Sequence, residues 1–365
     1  MKWGSGIHAA IIIAVLITTG CRDVPPCTPV PVETPPTVAR SNDPAYFAIN
    51  AIPTDSQKVS YNHVSCIIQL PGGDLMTVWV AGSAEAAADT AIVASRRPVG
   101  TSQWSAPAIV ADTPDAGDAN PTLLVDSSGI VHLFYVSLDG AGNLCLSHVM
   151  EETSADAGLT WSAPRQALEG TCTLIKNKPL ILRGGRWVLP AYQQAVYQSQ
   201  FWISDDTAQS WLPAAPLFTS PDSNLQPAVV ELADGSLYAL MRGTGGALWE
   251  GRSTDCARTF LLKERTDLPN PNSGIDLIRL SDGRLLLANN PSPSERTPLS
   301  LLVSPDEGVT WSNPITLEDA APPLAYPSLI QTADGLIHVT WSHQLAFIQH
   351  AEFNTAWLDA QVVMP

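Results

Sequence analysis

The sequence predicts an all-β protein, a six-bladed β-propeller, and three observations carry that reading. The first is a box that recurs in the second half of the chain: SADAGLTW from Ser154, SDDTAQSW from Ser204, STDCARTF from Ser253 and SPDEGVTW from Ser304. Successive boxes start 50, 49 and 51 residues apart. A period near 50 residues built from short strands points to propeller blades. The second is an interleaved repeat in which a polar residue, often before proline, leads through alternating aliphatics to a glycine turn. NPTLLVDSSG, QPAVVELADG and YPSLIQTADG are the clear copies; KPLILRGG, HVSCIIQLPGG and NSGIDLIRLSDG complete six. The third is composition: 31 prolines and 24 glycines in 365 residues, with no useful helical periodicity.

Each repeat then takes a place in a blade. The glycine turn joins two aliphatic strands into an inner hairpin. The box closes the outer hairpin, and SRRPVGTSQW from Ser95 is a looser version without the aspartate. Six inner hairpins and five outer ones give six blades, the last closed by an N-terminal strand near Phe47–Pro53. The recurrence decides how the aspartates are read. Asp156, Asp206, Asp255 and Asp306 are turn fixtures: a short side chain accepts bonds from its own backbone, and the aromatic fills the space between blades.

Three regions divide the chain: an export signal over 1–20, a proline-rich tether over 21–45 and the propeller over 46–365. Lys2, an apolar run and Gly20-Cys21 describe a signal too short for a comfortable membrane span. TTGC resembles the bacterial lipobox, with Thr18 where leucine is usual. That resemblance implies lipidation at Cys21, the only expected membrane contact, and Arg22 after it favours an outer-membrane or periplasmic location. Residues 22–44 hold seven prolines, a stiff extended tether in which Cys27 is expected to be exposed. Cys66, Cys145, Cys172 and Cys256 match no metal spacing; in an oxidising compartment they could form bridges, and buried thiols are the expectation.

A net charge of −16 argues against nucleic-acid binding. An acidic ligand would need a local basic cluster against that field. There is no phosphate loop, metal-ligand cluster or serine elbow, so no cofactor is expected. His132, His148 and His338 read as strand histidines.

The box, its period and the blade count resemble the Asp box of the sialidase (neuraminidase) superfamily, over roughly residues 55–358. The resemblance implies a sialidase-like propeller and exo-glycoside hydrolysis. In that family three arginines hold the substrate carboxylate, an aspartate is acid and base, and a tyrosine assisted by glutamate attacks the anomeric carbon. Carried over residue by residue, Tyr326 matches the nucleophile, Arg242 the second arginine and Arg296 the third. Three departures follow. The first strand, NHVSCIIQL, offers His63 and no arginine. Gln226 stands where the glutamate belongs. The loop GSAEAAADT offers Glu85 and Asp89 for the acid, with no choice between them.

Glutamine cannot take a proton, and a free tyrosine has a pKa near 10. Asp276 could substitute as base, or Lys176 and Lys178 could supply charge. The starts of the inner strands should converge on one channel mouth, so His63, Asn120, Lys178, Gln226, Asn272 and Tyr326 are expected to line one ring. Such a polar ring suits a sugar better than an apolar ligand. The expected partner is a glycan or oligosaccharide whose terminal sugar is acidic, sialic or uronic acid, or another exo-linked sugar. A glycan-binding propeller without catalysis is the alternative.

Overall fold

The computed structural model describes residues 26–32, 43–54, 60–138, 143–262 and 265–365. The signal and Cys21 lie outside the described residues. Six antiparallel sheets surround one axis. The inner strands of blades 1 to 6 begin the sheets at Tyr61–Gln69, Gly117–Val125, Thr173–Ile175, Asn224–Glu231, Asp276–Arg279 and Leu324–Gln331. In each sheet the chain then steps outward through the inner hairpin and the outer hairpin. Blade 6 is completed by Phe47–Ala51, which pairs along Phe347–Phe353, so the two ends of the chain close the ring as the sequence predicts.

The boxes are turns, and all four complete ones share one hydrogen-bond pattern. In the last, Ser304 Oγ donates to Asp306 Oδ1 at 2.9 Å and accepts from the Gly308 N–H at 2.8 Å. Asp306 accepts from the Thr310 N–H at 2.8 Å and the Thr310 hydroxyl at 2.6 Å. The boxes at Asp156, Asp206 and Asp255 repeat these contacts. Each box aromatic packs on the preceding blade: Trp211 meets Phe134 edge-on, Phe260 stacks on Phe201, and Trp161 and Trp311 border the cores of blades 1 and 4. These aromatics wedge the blades apart at the rim while aliphatics fill the interior.

Two sequence expectations are corrected here. The cysteines are not all thiols: Cys27 pairs with Cys256 and Cys145 with Cys172, leaving Cys66 as the buried free one. The proline-rich segment is not a free tether where it is described. The Cys27–Cys256 bridge pins it to the box of blade 4, Val32 N–H donates to the Ala233 carbonyl at 2.7 Å, and Arg183 Nε donates to the Val30 carbonyl at 2.7 Å. A pairing across 229 residues depends on how the chain returns, which spacing does not reveal. The C-terminus also forms a seven-residue helix, Thr355–Gln361, capped by the Asn354 side chain.

The strand histidines are spoken for. His132 Nδ1 lies 2.7 Å from Glu151, and His338 Nδ1 lies 3.1 Å from His350 Nε2. His338, His350 and Glu352 are close enough together to hold a metal ion. Glu352, however, already carries Arg97 at 2.6 Å, and that guanidinium disfavours a second cation there. The group forms part of the seam between blades 6 and 1.

Candidate active site

Six glycines set the register of the site. Gly73, Gly129, Gly185, Gly235, Gly283 and Gly335 close the inner hairpins with φ of 81–100°, each donating its N–H to the carbonyl three residues back. Only glycine adopts that conformation without strain. Nine residues before these glycines stand Val64, Asn120, Lys176, Gln226, Gly274 and Tyr326. This is the ring at the channel mouth. At Val64, Asn120, Gln226 and Tyr326 the backbone takes φ of 48–55°, and each inner strand carries a register shift at this point. A bulge re-aims a side chain and bends the strand. Left-handed backbone at non-glycine residues clusters at functional sites.

The expected ring is therefore right at Asn120, Gln226 and Tyr326 and corrected at three places. His63 stands one residue ahead of the ring. Its Nδ1 lies 2.8 Å from Ser342 Oγ, and its imidazole still meets the Tyr326 ring edge-on at 4.4 Å. Lys178 and Asp276 lie one layer deeper, seven residues before their glycines, and pair with each other at 2.7 Å. Asp276 also accepts the Leu329 N–H, so it is held by its own layer and is not presented to the Tyr326 oxygen. Asn272 shares the left-handed backbone of the ring, with φ of 54°, but stands two residues ahead of Gly274 in the glycine count; its carbonyl accepts from Arg296 Nη2 at 3.2 Å. A Cβ at Gly274 would stand 3.1 Å from Tyr326 Cδ1 and 3.3 Å from Gln226 Oε1, so the missing side chain makes room for both.

Tyr326 is the centre of the constellation. Its oxygen receives an Arg242 Nη1 hydrogen bond at 2.8 Å and a longer one from Gln226 Nε2 at 3.4 Å. Arg242 Nη1 also donates to Gln226 Oε1 at 3.0 Å, so the glutamine is fixed with its amide toward the tyrosine. The Arg242 and Arg296 guanidinium carbons each lie 5.9 Å from the Tyr326 ring centroid, and Lys176 Nζ lies 6.0 Å away. Burial would raise the Tyr326 phenol, but Arg242 and Arg296 outweigh it, and the net direction is down from 10.0. His63 is held neutral, at about 3, by burial and by Arg296, Lys176 and Arg242.

Lys176-Asn177-Lys178 stitches the axis together. Lys176 Nζ donates to Asn177 Oδ1 and to the carbonyls of Ile275 in blade 5 and Pro327 in blade 6, at 2.7–2.8 Å. Asn177 Nδ2 reaches the Gln226 and Pro227 carbonyls of blade 4. Lys178 Nζ reaches Asp276 and Ser328. Burial pushes Lys176 down to about 7, with Asp276 opposing and Lys178 adding to the fall. Its three acceptors match the three N–H bonds of an ammonium, which is the form this geometry holds.

The acid candidates separate. Asp89 is exposed and tied to its own loop, accepting from the Ser83 N–H at 3.2 Å and hydroxyl at 2.8 Å. Glu85, also exposed, faces the mouth: its charge acts on Tyr61 and on Arg242, and Tyr61 stands edge-on against His63. Two participants escaped the sequence reading. Tyr192 lies 3.3 Å from Gln226 Nε2 and 3.4 Å from Asn120 Nδ2, linking those two residues. It is pushed up to about 12 by burial and by Tyr326. Its signal was present: Tyr192 stands seven residues after Gly185, as Arg242 stands seven after Gly235. Tyr61, the other, had none.

No curated protein matches this sequence. Solved structures match it as folds. A protein of unknown function from Dyadobacter fermentans superposes with a TM-score of 0.72 at 17% identity, covering 84% of this chain and 97% of that one. The Hadza microbial sialidase Hz136 gives 0.72 at 20% identity, covering 83% and 66%. The intramolecular trans-sialidase of Ruminococcus gnavus gives 0.71 at 16%, covering 85% and 97%. The BNR repeat-like domain family matches residues 73–339. That span is most of the chain, and with the six blades around Tyr326 it establishes that the protein belongs to the BNR repeat-like family and carries the sialidase propeller fold.

Proposed function

We propose that the protein is an exported exo-glycoside hydrolase that removes a terminal acidic sugar, a sialic or uronic acid, from glycans outside the cytoplasm. One observation carries the reading: Arg242, Arg296, Gln226 and Tyr326 converge on a single spot at the channel mouth. Arg242 and Arg296 would hold the substrate carboxylate, for which planar guanidinium forks are suited. The buried Arg242 Nε has no partner among the described residues, so the guanidinium keeps a donor free.

Tyr326 would be the nucleophile. Two donors meet its oxygen, and the net field favours the phenolate. This addresses the missing glutamate: the proton leaves for solvent before attack, and Gln226 stabilises the anion in place of accepting a proton. The tyrosinate oxygen then bonds to the anomeric carbon as the bond to the leaving oxygen breaks. Glu85, in its acid form, protonates that oxygen. In the second half Glu85 takes a proton from water, which attacks the same carbon and releases Tyr326. Lys176 would act by position, fixing the Pro327 carbonyl next to the nucleophile.

Export and lipidation at Cys21 are part of the proposal. The two disulfides support it, because such bridges persist in oxidising compartments. One observation favours a second reading, a glycan-binding propeller without turnover: glutamine in the proton acceptor's place. A screen of fluorogenic sialic and uronic acid glycosides with wild type and Tyr326→Phe tests both. Turnover that disappears in Tyr326→Phe is expected. Turnover that survives would overturn the mechanism, and glycan binding with no turnover would favour the second reading.

A further inference from the structure

The axial channel continues beyond the Lys176-Asn177-Lys178 stitch into a cavity of about 580 Å³ at the opposite face, where the inner hairpins turn. Its floor is the Lys178–Asp276 pair; Tyr326, Gln226 and Lys176 do not line it. The glycine register explains its wall. Five residues before the six hairpin glycines stand Ile68, Leu124, Leu180, Val230, Ile278 and Ile330, all aliphatic and all lining the cavity. Two residues earlier, the ring of Cys66, Thr122, Lys178, Ala228, Asp276 and Ser328 mixes polar and apolar residues. Four of these six side chains stay partly exposed inside the cavity, so the belt leaves apolar surface open.

Charged residues also line the chamber, and one charge is unmatched. Lys178, Arg183 and Arg279 face two carboxylates, Glu231 and Asp276. Asp276 is taken by Lys178. Glu231 accepts the Arg183 N–H at 2.9 Å and lies 3.5 Å from the Arg183 guanidinium, whose other donors go to the Val30 and Leu232 carbonyls. Arg279 has no hydrogen bond or ion pair among the described residues, and its Nε is buried without a partner. Glu231 feels its charge only at a distance. In a chain of net charge −16 this is a local excess of positive charge on an apolar chamber.

We propose that this chamber is a second binding site, separate from the Tyr326 mouth, for an amphipathic monoanion. An apolar body would lie against the aliphatic belt, and one anionic group would take the free donors of Arg279. The volume lies within the range of small-molecule sites.

The probe is 8-anilinonaphthalene-1-sulfonate, an aromatic body with one sulfonate, titrated by fluorescence into the folded protein. One saturable site is expected. Arg279→Gln should weaken it at least about tenfold, since a charge-assisted hydrogen bond is lost. Ile330→Trp should abolish it by filling the belt, and Tyr326→Phe should leave it unchanged. Arg279→Lys, which keeps the charge, should retain binding and serves if the glutamine variant does not fold. Absence of a saturable site, or affinity unchanged in both Arg279→Gln and Ile330→Trp, overturns the proposal. Loss in Ile330→Trp with no change in Arg279→Gln overturns the anionic class.

Discussion

The outer rim and the channel mouth are both repeated structures, and they repeat in opposite ways. At the rim the residues recur: serine, aspartate, then serine or threonine, with the same bonds in four blades. At the mouth the backbone recurs and the residues do not. One bulge position holds valine, asparagine, glutamine and tyrosine in four blades. Uniform side chains on a repeated backbone answer a demand common to every blade, which is to close a turn. Divergent side chains on a repeated backbone answer a demand that only the ring as a whole can meet, which is to build one asymmetric site. An aspartate that recurs every 50 residues is therefore a poor catalytic candidate, and a tyrosine that occurs in one copy is a good one.

The largest test of that contrast is Tyr326→Phe, which deletes one oxygen at the mouth. Turnover of the acidic glycoside should fall by roughly 10³-fold or more, as expected for loss of a nucleophile. The melting temperature should move little, because the ring stays packed against His63. A rim-like result, with stability lost and turnover kept, would erase the distinction between the two regions.

Arg242→Met comes next and carries a pH dependence. In the native site Arg242 and Arg296 together outweigh burial and lower the phenol from 10.0. Removing Arg242 takes away one of the causes that lower the phenol and leaves burial in place, so the phenol must rise. Only the phenolate attacks, so turnover climbs with pH up to the tyrosine pKa. In the variant the rising limb should therefore move to higher pH, and activity at neutral pH should drop about tenfold for each pH unit of that shift. An unmoved alkaline limb would mean that Arg242 only binds substrate.

Asp306→Ala is the matching cut at the rim. It removes an acceptor used by Ser304, by the Thr310 N–H and by the Thr310 hydroxyl. The expected cost is about 1–3 kcal/mol of stability, read as a melting temperature lower by several degrees. The kcat of the folded fraction should be unchanged. A fall in kcat with unchanged melting would place chemistry at the rim.

The same contrast explains what the sequence reveals. Rim boxes are legible because identical residues make an identical turn. Blade count and ring closure follow from them. The mouth is harder because residue identity carries no repeat there, and the proline after Asn120, Gln226 and Tyr326 is an imperfect ruler. In blade 3 the inner strand pauses for four residues between Ile175 and Leu180, opposite two on its partner, so its proline falls two places late and points to Lys178 in place of Lys176. Blade 5 has no proline at this place: its left-handed residue is Asn272, two positions ahead of Gly274 in the glycine count. The hairpin glycines are the better ruler: the turn fixes their backbone, and counting from them locates Lys176, Gly274 and Tyr192 alike. The disulfides stay illegible for a different reason. Cys27 reaches Cys256 through a path that neither local pattern nor blade period encodes.

Gly274→Ala is the finest test, because it alters the mouth without touching a polar group. Gly274 is the ring position with no side chain, and its φ lies outside the left-handed region, so alanine imposes no backbone strain. The added methyl would stand 3.1 Å from Tyr326 Cδ1 and 3.3 Å from Gln226 Oε1, closer than such contacts normally lie. The tyrosine ring and the glutamine amide must each give by a few tenths of an ångström. A misplacement of about 1 Å can cost about 10²-fold in rate, so a smaller shift should cost a few-fold in kcat. The loss should appear in kcat more than in KM, because Arg242 and Arg296 keep their place around the substrate carboxylate. Full activity in Gly274→Ala would show that the ring tolerates displacement, and the close fit of Tyr326, Gln226 and Gly274 would then be packing, as it is at the rim.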